Sequence, residues 1–121
     1  MDSDVFDNVG LLKRLMGNEA LAERVLHLFL EAAPSQLSNL RRYLTEQDLP
    51  AARREAHTLK GAAATISASV LRGLALEAEQ AAAAGECSRI EDVLPRMEDQ
   101  LERLKTAIAN RGGLGAHVVR N

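Results

Sequence analysis

Aromatic side chains are nearly missing: Phe6, Phe29 and Tyr43 are the only ones in 121 residues, and there is no tryptophan. Sheet cores draw on aromatic and β-branched residues, so this scarcity argues against an all-β or doubly wound α/β domain. Cysteine is reduced to Cys87, which excludes an internal disulfide and a multi-cysteine zinc site. Cys87 is placed in a loop beside Glu86, a carboxylate neighbour that does not favour a reactive thiolate. No stretch approaches the roughly 18 apolar residues of a membrane span. The acidic start, Met1-Asp2-Ser3-Asp4, lacks the apolar stretch of a secretory leader. Formal charge is −2, so no overall basic field exists to hold a nucleic-acid backbone. The expectation is a cytoplasmic location with no nucleic-acid partner and no direct membrane contact.

What the chain does have is alanine and leucine, together about a third of the residues, in a composition that is 46% hydrophobic and 26% charged. Apolar residues recur at alternating steps of three and four. Leu26, Leu30, Ala33, Leu37, Leu40 and Leu44 form one such run, and Leu49, Ala52, Ala56, Leu59, Ala63 and Ile66 another. Leu71, Leu74, Ala78 and Ala81 make a third, and Ile90, Leu94, Met97, Leu101, Leu104 and Ile108 a fourth. Each is a single seam on a helix of 3.6-residue period.

The punctuation between the runs agrees. Asp48 can cap a helix in which Pro50 lies in the first turn, where no internal hydrogen bond is lost. Ser67 or Ser69 can cap the next helix, and Gly85 can end it. Ser88 and Glu91 have capping-box spacing. Pro34 is expected to divide the early run into Glu19–Ala32 and Pro34–Glu46, and Pro95 to kink the last helix or delay its start. A short helix over Asp7–Met16 carries Val9, Leu12 and Met16. Single seams with short connections predict an all-α, antiparallel up-down four-helix bundle, monomeric, with the short N-terminal helix over one end. Residues 1–110 would form the domain and 111–121 a flexible glycine-rich tail.

His57 is the residue that demands an explanation. Its helix buries the face through Ala56, Leu59 and Ala63, and at about 100° per residue His57 points about 130° away, toward solvent. Arg53, Lys60, Gly61 and Ala64 lie beside it at steps of three, four and seven. Gly61 is costly there, by roughly 1 kcal/mol against alanine in a helix interior, although alanines follow it directly. Such a breach of local preference marks a point of close approach. A neutral imidazole offers a ring nitrogen for nucleophilic attack, and Lys60 could balance the charge of a phosphoryl group on it. Spacing alone also accommodates a solvated histidine beside a solvated lysine. Other candidates are weaker. His27, between Glu23 and Glu31, reads as a partly buried helix histidine, and His117 lies in the tail. Gly112-Gly113-Leu114-Gly115 lacks the strand and helix that a phosphate-cradling loop requires.

The segment Ala56-His57-Thr58-Leu59-Lys60-Gly61-Ala62-Ala63 resembles the A-H-x-L-K-G-[SA]-[SA] signature of histidine-containing phosphotransfer (HPt) domains. Phe29 through Pro34, Leu37, Leu40, Asp48 and Leu76-Glu77 resemble the family's flanking positions. The likeness spans about residues 5–110 and is strongest to the modules that end hybrid sensor kinases. It implies that His57 accepts a phosphoryl group from a receiver-domain phospho-aspartate and passes it to another receiver. Lys60 would stabilise the phosphoryl group and Gly61 would give steric access. Arg53 and Ala64 would lie in the receiver-docking surface. A polar side chain on the following helix, in the region of Glu77 and Glu79, would bond the other ring nitrogen.

The implied partners are receiver domains of response regulators or of a hybrid sensor kinase, whose cytoplasmic end this chain could form. The implied cofactor is none of its own, with Mg²⁺ on the partner receiver, and the chain would have no kinase activity. Ser67 departs from the glycine that the family often carries ten residues after the histidine. The competing reading is a non-catalytic helical adaptor in which His57 does no chemistry.

Overall fold

The computed structural model describes residues 5–116. From Asn8 onward the described residues form α1 (Asn8–Arg14), α2 (Glu19–Thr45), α3 (Leu49–Thr65), α4 (Ser69–Ala84) and α5 (Cys87–Ala116). Among the described residues there is no strand. The four long helices pack in a ring, α2 on α3, α3 on α4, α4 on α5 and α5 back on α2, while α1 rests on α2. This is the antiparallel up-down bundle that four single-seam helices with short connections dictate.

Every residue of the four seams is buried except Leu30, Leu44 and Leu49, which are partly buried. Leu59, Ile66, Leu74, Leu101 and Leu104 are between 0 and 6% exposed. No polar or charged residue is buried among those described, so the core relies on apolar packing alone.

Several local expectations need correction. Pro34 does not divide the early run, because α2 is continuous from Glu19 to Thr45. A proline inside a helix forfeits one backbone bond at a cost of about 3 kcal/mol. Here Leu26, Phe29, Ala33, Leu37 and Leu40 are buried on both sides of Pro34 without a phase change, and that packing offsets the loss. Pro95 does not delay α5 either, which starts eight residues earlier at Cys87. Cys87 is therefore half-buried in a helix rather than in a loop. Ser88 lies inside the first turn of α5 and not at its cap. It is Glu86 whose carbonyl accepts from the Arg89 N–H at 3.1 Å.

In α1 the inward residue is Leu11, fully buried, while Val9 is 65% and Met16 94% exposed. The boundary drawn between residues 110 and 111 falls inside α5, whose Arg111 side chain reaches Glu19 at 2.6 Å and Glu23 at 3.5 Å. Residues 117–121, including His117, lie outside the described part.

The expected ends at Asp48 and Gly85 are present. The Asp48 carboxylate accepts from the Ala51 N–H at 3.2 Å, and Gly85 takes the left-handed conformation (φ 76°). Neither serine caps α4, whose preceding residue is Ala68, with no side-chain cap bond. Ser67 instead terminates α3 with φ 64°, a left-handed geometry that costs a non-glycine residue about 1–2 kcal/mol. Two contacts hold it there. Its carbonyl accepts from the Asp7 N–H at 2.9 Å, and its hydroxyl meets the Arg14 guanidinium, which also donates to the Ala64 carbonyl at 2.9 Å. The helix carrying His57 thus ends where the family-like glycine is expected, tied down by α1.

Candidate functional site: a solvent-facing histidine held by a carboxylate

Alanine sets the geometry of the α3–α4 contact. Ala52, Ala56 and Ala63 on α3, and Ala75, Ala78 and Ala82 on α4, are all buried. Small side chains at a helix–helix contact let the axes lie close. Close axes allow a side chain as short as glutamate on α4 to reach across to the outer face of α3, and Glu79 does so.

The His57 side chain is 65% exposed. Its Nδ1 lies 2.9 Å from Glu79 Oε2, while the other carboxylate oxygen, Oε1, lies 2.7 Å from Lys60 Nζ. Glu79 is itself only 16% exposed and so is firmly placed. The hydrogen bond from Lys60 lowers the Glu79 pKa below its ordinary 4.5 against an opposing effect of burial, and the His57 bond lowers it further. A lowered carboxylate pKa means that this bridge stabilises the fold fully above about pH 4.5. That contribution is lost as pH falls through the lowered value.

A carboxylate can only accept, so at neutral pH Nδ1 is the nitrogen that carries the proton. The consequence for the ring is direct. In a neutral imidazole with hydrogen on Nδ1, the lone pair available for bonding is on Nε2. Tautomer and ring orientation are therefore both set by one residue, and the Nε2 lone pair is left open to solvent.

Gly61 lies one turn beyond His57, and a Cβ built on it would meet nothing within 4 Å. No internal packing requires glycine there. Arg53 and Arg54, one turn before His57, line a shallow groove together with Pro50, His57, Thr58 and Glu79. Ala64, two turns beyond His57, is half-buried. The structure thus gathers His57, Lys60, Glu79 and Arg53 at one place and leaves open space over Gly61. It separates His27, which is exposed rather than partly buried and pairs with Glu31 at 3.0 Å. No cluster of histidine, cysteine and carboxylates able to hold a metal occurs among the described residues.

An exposed imidazole thus lies on the flank of the four-helix bundle, with one nitrogen held by a carboxylate and the other open to solvent. Residues 24–110 match the model of the Hpt domain family, and the chain belongs to that family. The fold is also similar to the crystal structure of histidine-containing phosphotransfer protein B (HptB) from Pseudomonas aeruginosa PAO1. The TM-score is 0.80 at 25% sequence identity, covering 88% of this chain and 94% of that one. No curated protein matches the sequence.

Proposed function

We propose that His57 is the phosphoacceptor of this phosphotransfer domain and that Nε2 is the attacking atom. The observation that carries the reading is the pair of contacts made by Glu79, 2.9 Å to Nδ1 and 2.7 Å to Lys60. In the forward step the Nε2 lone pair attacks the phosphorus of a receiver's aspartyl phosphate. An N–P bond forms, the P–O bond to the aspartate breaks, and its electron pair leaves on the carboxylate. The ring, still protonated at Nδ1, becomes cationic and is stabilised by Glu79. The reverse step hands the group to another receiver and returns a neutral imidazole as leaving group.

Lys60 donates to Glu79 with one of its three ammonium hydrogens and has two left for the phosphoryl oxygens. It thereby counters charge that gathers at Nε2 only when the group arrives. In this reading the chain acts as a carrier of the phosphoryl group, not as a kinase. Mg²⁺ belongs to the receiver, which must hold the aspartyl phosphate. Arg53 and Ala64 border the surface on which the receiver sits. The carrier proposed is cytoplasmic and monomeric; no helix of the described residues is long and apolar enough to cross a membrane.

Incubation with a phosphorylated receiver domain tests the reading. Label should move from the receiver to this chain as an acid-labile adduct, and stable receiver binding without any transfer would establish the adaptor instead.

The open space over Gly61 adds a graded test. Gly61→Ala should raise stability by up to roughly 1 kcal/mol, because the helix gains a better former and the methyl meets nothing. Gly61→Gln should fold at least as well as the parent yet lose transfer, because side chains at steps of four lie against each other. Thermal melts and transfer rates across the Ala, Ser and Gln variants separate access from stability. Unimpaired transfer in Gly61→Gln would remove the access role.

A further inference from the structure

The charges that surround His57 do not follow those of the chain. The whole sequence carries −2, but the residues that share the His57 face of α3 are Arg53, Arg54 and Lys60. The one acidic residue of α3, Glu55, points to about the opposite side of the helix at 100° per residue. From α4 the facing carboxylate is Glu79, and it is consumed by His57 and Lys60. Arg72 stands on the same stripe of α4, two turns before Glu79. Glu77, which lies off that stripe, is directed to Arg89 at 4.0 Å. Arg53, Arg54 and Arg72 are exposed and make no ion pair among the described residues. The local balance is cationic in an acidic protein.

Most other surface charges of the bundle are answered within it: Arg41 by Glu98, Arg103 by Asp99, Lys105 by Glu102, and Arg111 by Glu19 and Glu23. Around the histidine Lys60 is answered by Glu79, while Arg53 and Arg54 have no ion-pair partner among the described residues. Arg53 and Arg54 moreover line the groove that contains His57 and Glu79, so they border the path to the reacting nitrogen.

Resting on the reading of His57 as phosphoacceptor, we infer that Arg53 and Arg54 are a docking pair that selects receivers whose surface beside the phospho-aspartate is acidic. The pair acts on encounter, before any bond changes. Complementary fields raise association rates by one to three orders of magnitude and lose that effect as salt rises, because the Debye length is only about 8 Å at physiological ionic strength. Like-charged receivers are repelled by the same field. Arg rather than Lys suits the role, since its planar fork can pair with a carboxylate through two bonds.

The test uses the full chain, R53E/R54E, and R96E/K105E, a control with the same change of net charge on α5, which packs mainly on α2 and α4. Each is reacted with phosphoramidate, a small phosphoryl donor, and with a panel of phosphorylated receiver domains that differ in the charge beside the aspartate. In R53E/R54E, kcat/KM for acidic-faced receivers should fall 10- to 100-fold at low salt and lose most of its salt dependence, and preference should shift toward basic-faced receivers. R96E/K105E should behave as the parent. Phosphoramidate should label His57 in all three. An equal fall with phosphoramidate and with receivers would place the arginines on the phosphoryl group and overturn a docking role. An unchanged salt slope, or the same loss in the control, would overturn it as well. Failure of phosphoramidate to label the parent would instead strike at His57, independently of the arginines.

Discussion

Replacing His57 with glutamine should abolish transfer completely while leaving the fold untouched. The side chain is 65% exposed, and among the described residues its hydrogen-bond partner is Glu79. Substitutions at such surface sites shift stability by about 0.5 kcal/mol or less. Glutamine keeps a side-chain amide that can donate to Glu79, but an amide nitrogen has no lone pair able to displace a carboxylate from phosphorus. Far-UV circular dichroism and melting should match the parent, and no acid-labile label should appear with any phosphorylated receiver. Label retained on His57→Gln would transfer the acceptor role to another histidine, with His27 the exposed alternative.

Leu59→Ala should have the opposite signature. Leu59 is on the same helix, two residues from His57, yet 1% exposed and packed in the core. Truncating a fully buried leucine costs about 2–5 kcal/mol through lost transfer free energy and the cavity left behind. In a domain of this size each kcal/mol lowers Tm by about 4 °C, so a fall of about 8–20 °C is expected. Domains of this kind are stable by only about 5–15 kcal/mol, so the variant stays folded in the cold. There its His57 should still accept phosphate at a rate near the parent's. A melting point within a few degrees of the parent would contradict the packing, and transfer lost in a still-folded Leu59→Ala would mean that the His57 face depends on the core beneath it.

The two predictions diverge because α3 has two faces, and both were readable in the spacing of its residues. Ala56, Leu59 and Ala63 repeat at steps of three and four, and His57 falls off that stripe whatever the rest of the chain does. The caps at Asp48 and Gly85 were readable for a similar reason, since each acts within a few residues of itself. Pro34 misled because its effect is local while its compensation is not: the buried stripe from Leu26 to Leu40 keeps phase through it, and tertiary packing outweighs one lost bond. In α1 the seven-residue helix is too short for periodicity to choose a face, and the contact with the bundle selects Leu11 over Val9 and Met16.

Glu79 shows where a sequence stops. It stood among the polar candidates on α4 together with Glu77, two residues away and nearly opposite on the helix. Choosing between them requires the rotation of α4 about its axis and its distance from α3. Both are set by which alanines interlock, a property of two helices together. With Ala75, Ala78 and Ala82 buried, Glu79 is turned toward His57 and Glu77 toward Arg89.

If Glu79 holds the proton on Nδ1, Nε2 alone is left to react. The direct measurement is the position of the phosphoryl group on the ring, read from the nitrogen and proton chemical shifts of the His57 imidazole after phosphorylation at neutral pH. A single Nε2-phosphohistidine is expected, with Nδ1 still protonated. A phosphoryl group on Nδ1, or a mixture of both isomers, would contradict it.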